Sequence, residues 1–363
     1  MIFILLPVLY SLAFAKDRRT FAILRHSAGG PLGEARIDPI VSPGVPSEHV
    51  HTIMGASNFG LNATGDSLLR SSCTTALIKD DLSAYWFPKL YFKDPKTDLF
   101  ESVNLSYMNV YYFFEPTDDK ITAFPVSLQI VSGDASIRHA PSKTGKLNLN
   151  PLDGIVQPSQ WTCPRIHYSP PSYPANSNGS TAGIQNPDVR EAGIGFPFAN
   201  CDLFASPLRM DIHFPSCYNP AVPLTDYKNN MAFPVTYQNG KQNCLKNWIH
   251  VPHLLYEVYW DTTKFSHRWK PHQGYQPFIL SNGDKTGYSI HGDFLAGWDE
   301  QALQHIIDTF NVTSSKHFGM ETCPGVAVNN DNHRCVVNSL IDEHVTGTLV
   351  KLPGHNLPTG WDF

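Results

Sequence analysis

The hydrophobic and polar positions along the chain predict mainly β-structure. Five runs are rich in aromatic and β-branched residues, and most are bounded by Gly, Pro, Asn or Asp, as is typical of strands joined by turns. These runs are Ala84–Phe92, Tyr107–Phe114, Phe124–Val131, Leu208–Phe214 and Leu254–Trp260. In the run at Leu208 the apolar positions do not alternate cleanly, so we expect both of its faces to be covered.

One helix is predicted near the carboxyl-terminal end. Asp299 is a suitable N-cap, and five apolar residues follow it at helical spacing, namely Ala302, Leu303, Ile306, Ile307 and Phe310. The segment Ser169–Gly183, rich in Pro, Ser, Asn and Gly, predicts a long exposed loop. Together these elements predict a jelly-roll-like antiparallel β-sandwich with long loop insertions and one C-terminal-side helix.

The chain divides into four expected segments. The apolar run Ile2–Ala15 ends in Ala13-Phe14-Ala15, the small-x-small pattern of a signal peptidase site, so residues 1–15 are predicted to be a signal peptide. The run is shorter than the roughly 20 residues that span a bilayer; a buried N-terminal strand is the alternative. We expect a short leader over 16–32, a single β domain over 33–340 and an irregular tail over 341–363.

Composition excludes several classes of protein. Only 16% of residues are charged and 12% are aromatic, the reverse of a disordered chain. The net charge of −5 argues against a nucleic acid partner. No second apolar run approaches membrane length, so no membrane span is predicted. No G-x-S-x-G, G-x-x-x-x-G-K-[ST], G-x-G-x-x-G or H-E-x-x-H motif occurs, and we therefore expect no nucleotide or organic cofactor.

Two features agree with export. N-x-Ser/Thr acceptors predict exposed, glycosylated loops at Asn62, Asn104, Asn178 and Asn311. The seven cysteines form no C-x-x-C, which favours disulfides over a zinc ribbon. Because seven is odd, one thiol has no partner within the chain. Cys323 and Cys335 form one pair that the spacing allows.

Histidines indicate a candidate metal site. In an extended segment His49 and His51 point to the same face, because side chains alternate with period two, and paired imidazoles are common metal ligands. With His291 they form the predicted ligand set for one divalent ion of unknown identity. The alternative is a pair of solvated histidines on a loop.

Carboxylates offer acid–base chemistry. Asp284, His291 and Asp293 lie in a Gly-rich segment where they could converge on a metal, a sugar or a proton, or instead bind their own backbone amides. Glu257 lies within an apolar run, where burial would raise its pKa and make it a general acid; in the alternative it lies in water on an edge strand. The candidate catalytic residues are thus Glu257, Asp284, Asp293 and His291. Asp134 follows a strand and fits a site or a turn equally.

Aromatic residues are candidate substrate-binding residues. Sugars have apolar faces, so aromatic rings in strands and loops offer surfaces on which sugars stack. The residues selected on this basis are Tyr85, Trp86, Trp260 and Tyr288.

Several strings occur together in one order. They are Arg36–Ile40, His49–Phe59, Ser83–Tyr91, Phe214–Cys217, Tyr256–Asp261 and Ser281–Asp299. In this combination the chain resembles the domain-of-unknown-function 1996 (DUF1996) family of secreted fungal proteins, over roughly Gly33–Phe310. The resemblance implies export, a place at or outside the cell wall and a polysaccharide partner, but no established reaction.

The chain also departs from the family pattern. The family commonly shows an Asp-His…Ser-His run where this chain has Asp226–Pro234, so Tyr227 and Asn230 stand at the histidine positions. If those histidines serve a site, the site is altered here. Three functions stay open: a secreted enzyme that hydrolyses or lyses a polysaccharide, a non-catalytic carbohydrate- or wall-binding protein, and a metal-binding protein with a His/Asp site.

Overall fold

The computed structural model describes residues 20–114, 116–203, 206–310, 319–337 and 341–362. The expected signal peptide over 1–15 and the acceptor Asn311 lie outside the described residues.

Strands dominate the described residues. In chain order they are β1 Thr20–Arg25, β2 Gly33–Ala35, β3 His51–Gly55, β4 Ala84–Pro88, β5 Leu90–Lys93, β6 Phe100–Ser102, β7 Leu105–Phe114, β8 Gln129–Gly133, β9 Ser159–Thr162, β10 Ile184–Gln185, β11 Ala192–Ile194, β12 Arg209–His213, β13 Cys217–Tyr218, β14 Met231–Ala232, β15 Val235–Thr236, β16 Gln242–Asn243, β17 Ile249–His250, β18 His253–Trp260, β19 Phe278–Leu280, β20 His291–Leu295 and β21 Thr348–Leu349. The α-helices are α1 Gly65–Leu68 and α2 Glu300–Thr309, and single 3₁₀ turns occur at Pro151–Asp153, Thr262–Phe265, Met320–Thr322 and Pro353–His355.

Two antiparallel sheets form the body of the protein. One has seven strands in the order β1-β7-β18-β12-β9-β11-β10, and the other has five in the order β2-β3-β4-β20-β8. Smaller sheets of four, three and two strands (β19-β5-β6-β21, β14-β13-β17 and β15-β16) flank them. The predicted mainly antiparallel β fold is confirmed and is consistent with a β-sandwich.

The core lies between the two main sheets. Tyr256 of β18 packs against Tyr85 of β4 with ring centroids 5.8 Å apart, and Tyr85 packs against Phe294 of β20. The sheets approach closely at Gly292, where an added Cβ would lie 3.0 Å from the Phe214 ring and 3.1 Å from Ile212. Side chains alternate along a strand, so the residues directly before and after these inward-facing residues point away from the core, to the outer face of their sheet.

The outer face of the five-stranded sheet has its own apolar layer. Ile53, Trp86 and Leu295 belong to one buried cluster with Ile37 and Ile40, which come from the segment before β3. This segment, which we call the covering segment, therefore lies over the outer face of the sheet. It shields the side chains beneath it from water.

Two predicted strands have different bounds. The run Ala84–Phe92 divides into β4 and β5, which belong to different sheets, and between them the Lys89 N–H donates to the Val50 carbonyl. In the run Phe124–Val131 the strand begins only at Gln129. Pro125 cannot donate a ladder hydrogen bond, which accounts for the irregular start.

Both ends of the described chain pack on the domain. The expected leader over 16–32 contains β1, which pairs with β7 as an edge strand of the large sheet. The expected irregular tail contains β21, which pairs with β6, and a buried Trp361 that contacts Phe198 and Tyr288. Neither segment is separate from the folded body.

The predicted helix is present as α2. The Asp299 side chain accepts hydrogen bonds from the backbone N–H groups of Gln301 and Ala302, so it is the N-cap, and Leu303 and Ile306 are buried. No helix among the described residues is long and apolar enough to cross a membrane.

Three disulfides join distant segments: Cys73–Cys335, Cys163–Cys201 and Cys217–Cys244. The suggested pair of Cys323 with Cys335 is wrong, because Cys335 is bonded to Cys73 and Cys323 is a buried free thiol. Short sequence separation does not predict this pairing, because Cys73 and Cys335 are 262 residues apart in sequence but adjacent in space.

Candidate metal centre

Three imidazoles converge on the outer face of the five-stranded sheet. His51 begins β3 and His291 begins β20, with β4 between them, while His49 lies just before β3. Ligand nitrogens of the three residues lie within 4.8 Å of one another. The predicted ligand set is thus brought together, although its two strand members lie 240 positions apart in the chain.

Backbone carbonyls fix the orientation of two rings. Nδ1 of His51 lies 3.1 Å from the Ile37 carbonyl, and Nδ1 of His291 lies 2.8 Å from the Ser289 carbonyl. A carbonyl only accepts, so each Nδ1 carries the proton and each Nε2 is left as a lone pair. This is the arrangement in which an imidazole binds a metal through Nε2 and is held by a second contact through Nδ1.

Two carboxylates lie next to His51 and form a second group with it. Asp293, two residues after His291 on β20, is buried and neither of its oxygens has a hydrogen-bond partner. Ligand atoms of Asp293, Asp38 and His51 also lie within 4.8 Å of one another. One oxygen of Asp38 accepts the backbone N–H groups of Ile40 and Val41, each at 3.0 Å, which holds the carboxylate in place.

The spacing of the nitrogens is compatible with one ion. Nε2 of His49 lies 2.9 Å from Nε2 of His291. Two nitrogens that are each about 2.1 Å from a metal are about 3.0 Å apart when the bond angle is a right angle. A transition metal with one right-angle pair therefore fits this donor set, and imidazole with carboxylate suits Zn, Mn, Fe, Cu or Ni.

Burial controls the charge of the cluster. It lowers the pKa of His51 to about 3, helped by the nearby His291, and lowers the pKa of His291 to about 4 against the opposing bond to Ser289. Burial also lowers the pKa of His49, with His51 and His291 as further causes. The pKa of Asp293 is raised well above its usual value by burial and then by Asp38. Without a cation, burial therefore favours the neutral imidazoles and the protonated form of Asp293.

The cluster opens into a cleft of about 630 Å³. Asp38, His49, His291 and Asp293 line its inner part, while His51 is fully buried beneath them. The rim carries Glu48, Asp134, Tyr227 and Lys228. Across the sheet from His291 is Gly133, where φ is +86° and a Cβ would lie 2.1 Å from the Ile290 carbonyl, so only glycine fits beside the opening.

Two predicted catalytic carboxylates lie elsewhere. Asp284 is fully buried and accepts hydrogen bonds from the N–H and hydroxyl groups of Thr286 and Ser289, so it stabilises its own loop. Glu257 is next to Tyr256 on β18, and Tyr256 faces the core and donates to the Asp293 carbonyl. Alternation therefore places Glu257 on the far face of the large sheet.

Glu257 also lacks the environment of a general acid. Arg209 lies 3.0 Å from its carboxylate and 2.8 Å from that of Asp211, and Asn109 and Tyr111 donate to its second oxygen. Glu257 is buried as expected, but the positive charge of the Arg209 guanidinium compensates the negative charge of its carboxylate. The structure brings only His291 and Asp293 of the four candidate catalytic residues to the metal centre.

The candidate sugar-stacking rings are mostly inside the protein. Tyr85, Trp86 and Trp260 are fully buried, so they offer no surface on which a substrate could stack. Tyr288 is also buried and donates its hydroxyl to the Gly179 carbonyl, but it borders a second cavity beside the cleft. The aromatic runs therefore form strands of the core and do not form a surface that binds a sugar.

The positions that depart from the family pattern have different roles. Tyr227 lines the cleft, whereas Asn230 is buried and donates to the carbonyls of Gln129 and Leu224. A second group of metal-ligating residue types, Asp119, Cys244 and His250, contains no free thiolate because Cys244 is in a disulfide.

Sequence reasoning does not find Asp38. It lies 13 positions before His51, in the Arg36–Ile40 string, and no regular spacing connects it to the histidines. Asp38 reaches the cluster because the covering segment folds back over β3. Of the predicted glycosylation sites, Asn62, Asn104 and Asn178 are exposed.

The family model described as "Domain of unknown function (DUF1996)" matches residues 38–298. The chain belongs to the DUF1996 family. The matched range contains every residue of the cluster, from Asp38 to Asp293. No curated protein and no solved structure matches the chain.

Proposed function

We propose that this DUF1996 protein holds one divalent transition-metal ion on His49, His51 and His291, with the Asp293 carboxylate next to His51, and that it uses this centre to act on a polysaccharide. The observation that carries the proposal is the Asp293 carboxylate, which is buried next to His51, one of the three converging imidazoles, with both oxygens unpartnered. A buried polar group without a partner calls for an ion or a role in chemistry. A purely structural residue at this position would be expected to have hydrogen-bond partners.

The proposed chemistry is hydrolysis or lysis. A divalent ion supplies Lewis acidity, which polarises an oxygen of the substrate or of water. Asp38 is the second carboxylate within reach of His51, and burial holds its pKa above the usual value although the N–H groups of Val41 and Ile40 oppose the shift. A carboxyl group with a raised pKa is better suited to donate or accept a proton during a reaction than an ordinary carboxylate.

The proposed location is outside the cell or in the cell wall. Three disulfides are typical of an oxidising compartment. The exposed acceptors Asn62, Asn104 and Asn178 agree with glycosylation during export.

Metal analysis of the purified protein tests the centre. We expect about one equivalent of metal in the wild type and in His139→Gln, an exposed histidine outside the cluster, loss of metal in His51→Gln and weaker metal binding in Asp293→Asn. Thermal denaturation of each variant shows whether it is folded. A folded wild type that takes up no Zn, Mn, Fe, Cu or Ni after reconstitution would contradict the proposal.

Activity is tested separately by release of reducing or unsaturated ends from a panel of wall glycans. Product from the metal-loaded wild type that is abolished by a chelator and absent with His51→Gln supports the enzyme. Stoichiometric metal with glycan binding and without product would favour the non-catalytic binding protein instead.

A further inference from the structure

The cleft at the metal centre continues into a second cavity. The cleft of about 630 Å³ and a neighbouring cavity of about 370 Å³ share five lining residues, Val131, Gly133, Asp134, Tyr227 and Lys228. The two are therefore parts of one groove, and the metal centre lies at one end. The groove is longer than a site for a single small unit requires.

One wall of the groove is the open edge of β8. Gln129 on this strand has both backbone groups occupied, since its N–H donates to Leu224 and its carbonyl accepts from Asn230. Alternate residues of a strand point their backbone groups to the same side, so both groups of Val131 and the N–H of Gly133 point outward as those of Gln129 do. They face the groove that both residues line.

This edge favours a ligand with hydroxyl groups over a peptide. Only two residues of β8 are open, because the Leu224 and Asn230 contacts close one end and Gly133 ends the strand. A peptide that adds as a strand needs a row of main-chain partners. A sugar hydroxyl, which both donates and accepts, can use single backbone groups.

The charges at the middle of the groove favour a neutral ligand. Asp134 is exposed and uses one oxygen for the N–H and hydroxyl groups of Ser136. Lys228 lies over the Tyr227 ring, 5.7 Å from its centroid, and no carboxylate pairs with it in the described part of the chain. The opposite charges of Asp134 and Lys228 balance, and Glu48 on the rim would repel a polyanion.

The far end of the groove is mainly apolar. Its lining includes Ile155, Pro158, Pro215, Met231 and Phe233. Ile155 is 81% exposed, an unusual state for a large apolar side chain bordering a cavity. Apolar walls with a few backbone hydrogen-bonding groups match the C–H faces and hydroxyl edges of a sugar ring.

We propose that the two cavities form one binding groove for a linear, neutral oligosaccharide, with one unit over the metal centre and the following units over the apolar end. The placement of one sugar unit over the metal centre rests on the proposed function. The binding of the other sugar units depends only on the groove.

Calorimetric titration of the zinc-reconstituted protein with glycans of two lengths tests the groove. The probes are β-1,3- and β-1,4-linked glucose hexamers, the matching dimers, a galacturonate hexamer and an extended hexapeptide. We expect at least one neutral hexamer to bind about tenfold more tightly than its dimer, and Ile155→Ser to remove this gain. Leu152→Ser changes another exposed apolar residue, which is 70% exposed and lies outside both linings; it is the matched control and should leave the gain unchanged.

Three results would overturn the inference: no gain with length for either neutral hexamer, tighter binding of the galacturonate hexamer, or tighter binding of the peptide. Metal analysis on the same samples separates the two proposals. If zinc does not bind but the Ile155-dependent gain persists, the metal centre fails and the groove stands. If zinc binds and the gain is absent, the groove fails and the metal centre stands.

Discussion

Nε2 of His49 and Nε2 of His291 face each other at 2.9 Å across 242 residues of sequence. Since the Nδ1 proton of His291 is committed to the Ser289 carbonyl, its Nε2 is a lone pair. The two nitrogens therefore share either one proton, donated by His49, or one cation. The chemistry of the cleft depends on which of the two is present.

Metal binding is expected to release a proton from Asp293. Burial raises the pKa of Asp293 well above its usual value, which favours the protonated carboxyl group in the metal-free protein, so a bound cation competes with this proton. Metal affinity should then fall as the pH decreases. Calorimetry in buffers of different ionisation enthalpy measures the number of protons released.

The matched variant is Asp293→Asn, which has no proton to lose. We expect metal affinity about 10–100-fold lower and nearly independent of pH between 6 and 7.5. An equal proton count in the wild type and the variant would show that Asp293 does not take part.

Asp284 is expected to support the metal centre by holding Ser289 and His291 in place, without binding the ion itself. It binds Ser289, whose carbonyl orients His291. Removing a buried carboxylate that accepts four hydrogen bonds should cost about 3 kcal/mol or more in the free energy of unfolding, measured with denaturant. We expect Asp284→Ala to weaken metal binding as well, whereas Asp299→Ala, which removes only the α2 cap, should cost about 1 kcal/mol and leave metal affinity unchanged. Unchanged stability of Asp284→Ala would refute this role.

Local pattern predicted the strands and the helix, but not which face of a strand carries the site. Alternation placed His49 and His51 together, and the apolar run around Glu257 correctly indicated burial. It could not show that Arg209 lies opposite on β12, or that Tyr256 and not Glu257 faces the second sheet. Those facts depend on strand order, which joins residues far apart in sequence. Asp38 was missed for the same reason, because the fold of the covering segment has no local signature.

The Cys323 thiol is expected to react with an alkylating reagent once the protein is unfolded, even when no reductant is present. The three disulfides leave Cys323 free and buried, so mass spectrometry should find one alkylated cysteine under denaturing, non-reducing conditions and none in the native protein. The Cys73→Ser, Cys335→Ser double variant should lose about 2–5 kcal/mol of stability. Cys323→Ser serves as the control that keeps all three bonds; labelling of Cys335 in the wild type would contradict the pairing.

His26 is expected to make stability depend on pH. Burial lowers its pKa to about 3, below the unfolded value of 6.5, so between these values the unfolded chain binds a proton that the folded chain does not. Its contribution is therefore present above pH 6.5 and is lost as the pH falls. From pH 7 to 5 the wild type should lose about 2 kcal/mol more than His26→Gln.

The comparison with His26→Gln is needed because Asp81, whose pKa burial raises to about 6, shifts stability in the opposite direction over the same range. Denaturant unfolding at both pH values gives the two differences. Equal losses in the wild type and His26→Gln would contradict the assignment.

The segment that covers the five-stranded sheet supplies Asp38 and His49, whereas His51, His291 and Asp293 come from the strands beneath it. An ion shared between them would close a chain loop of 242 residues, comparable with the 262-residue loop closed by Cys73–Cys335. The two closures respond to different conditions, since reductant opens the disulfide and acid or a chelator opens the coordination bonds. Proteolytic cleavage of the covering segment would then report whether the ion is bound, and a non-reducing gel of the same digest would report whether Cys73–Cys335 is intact.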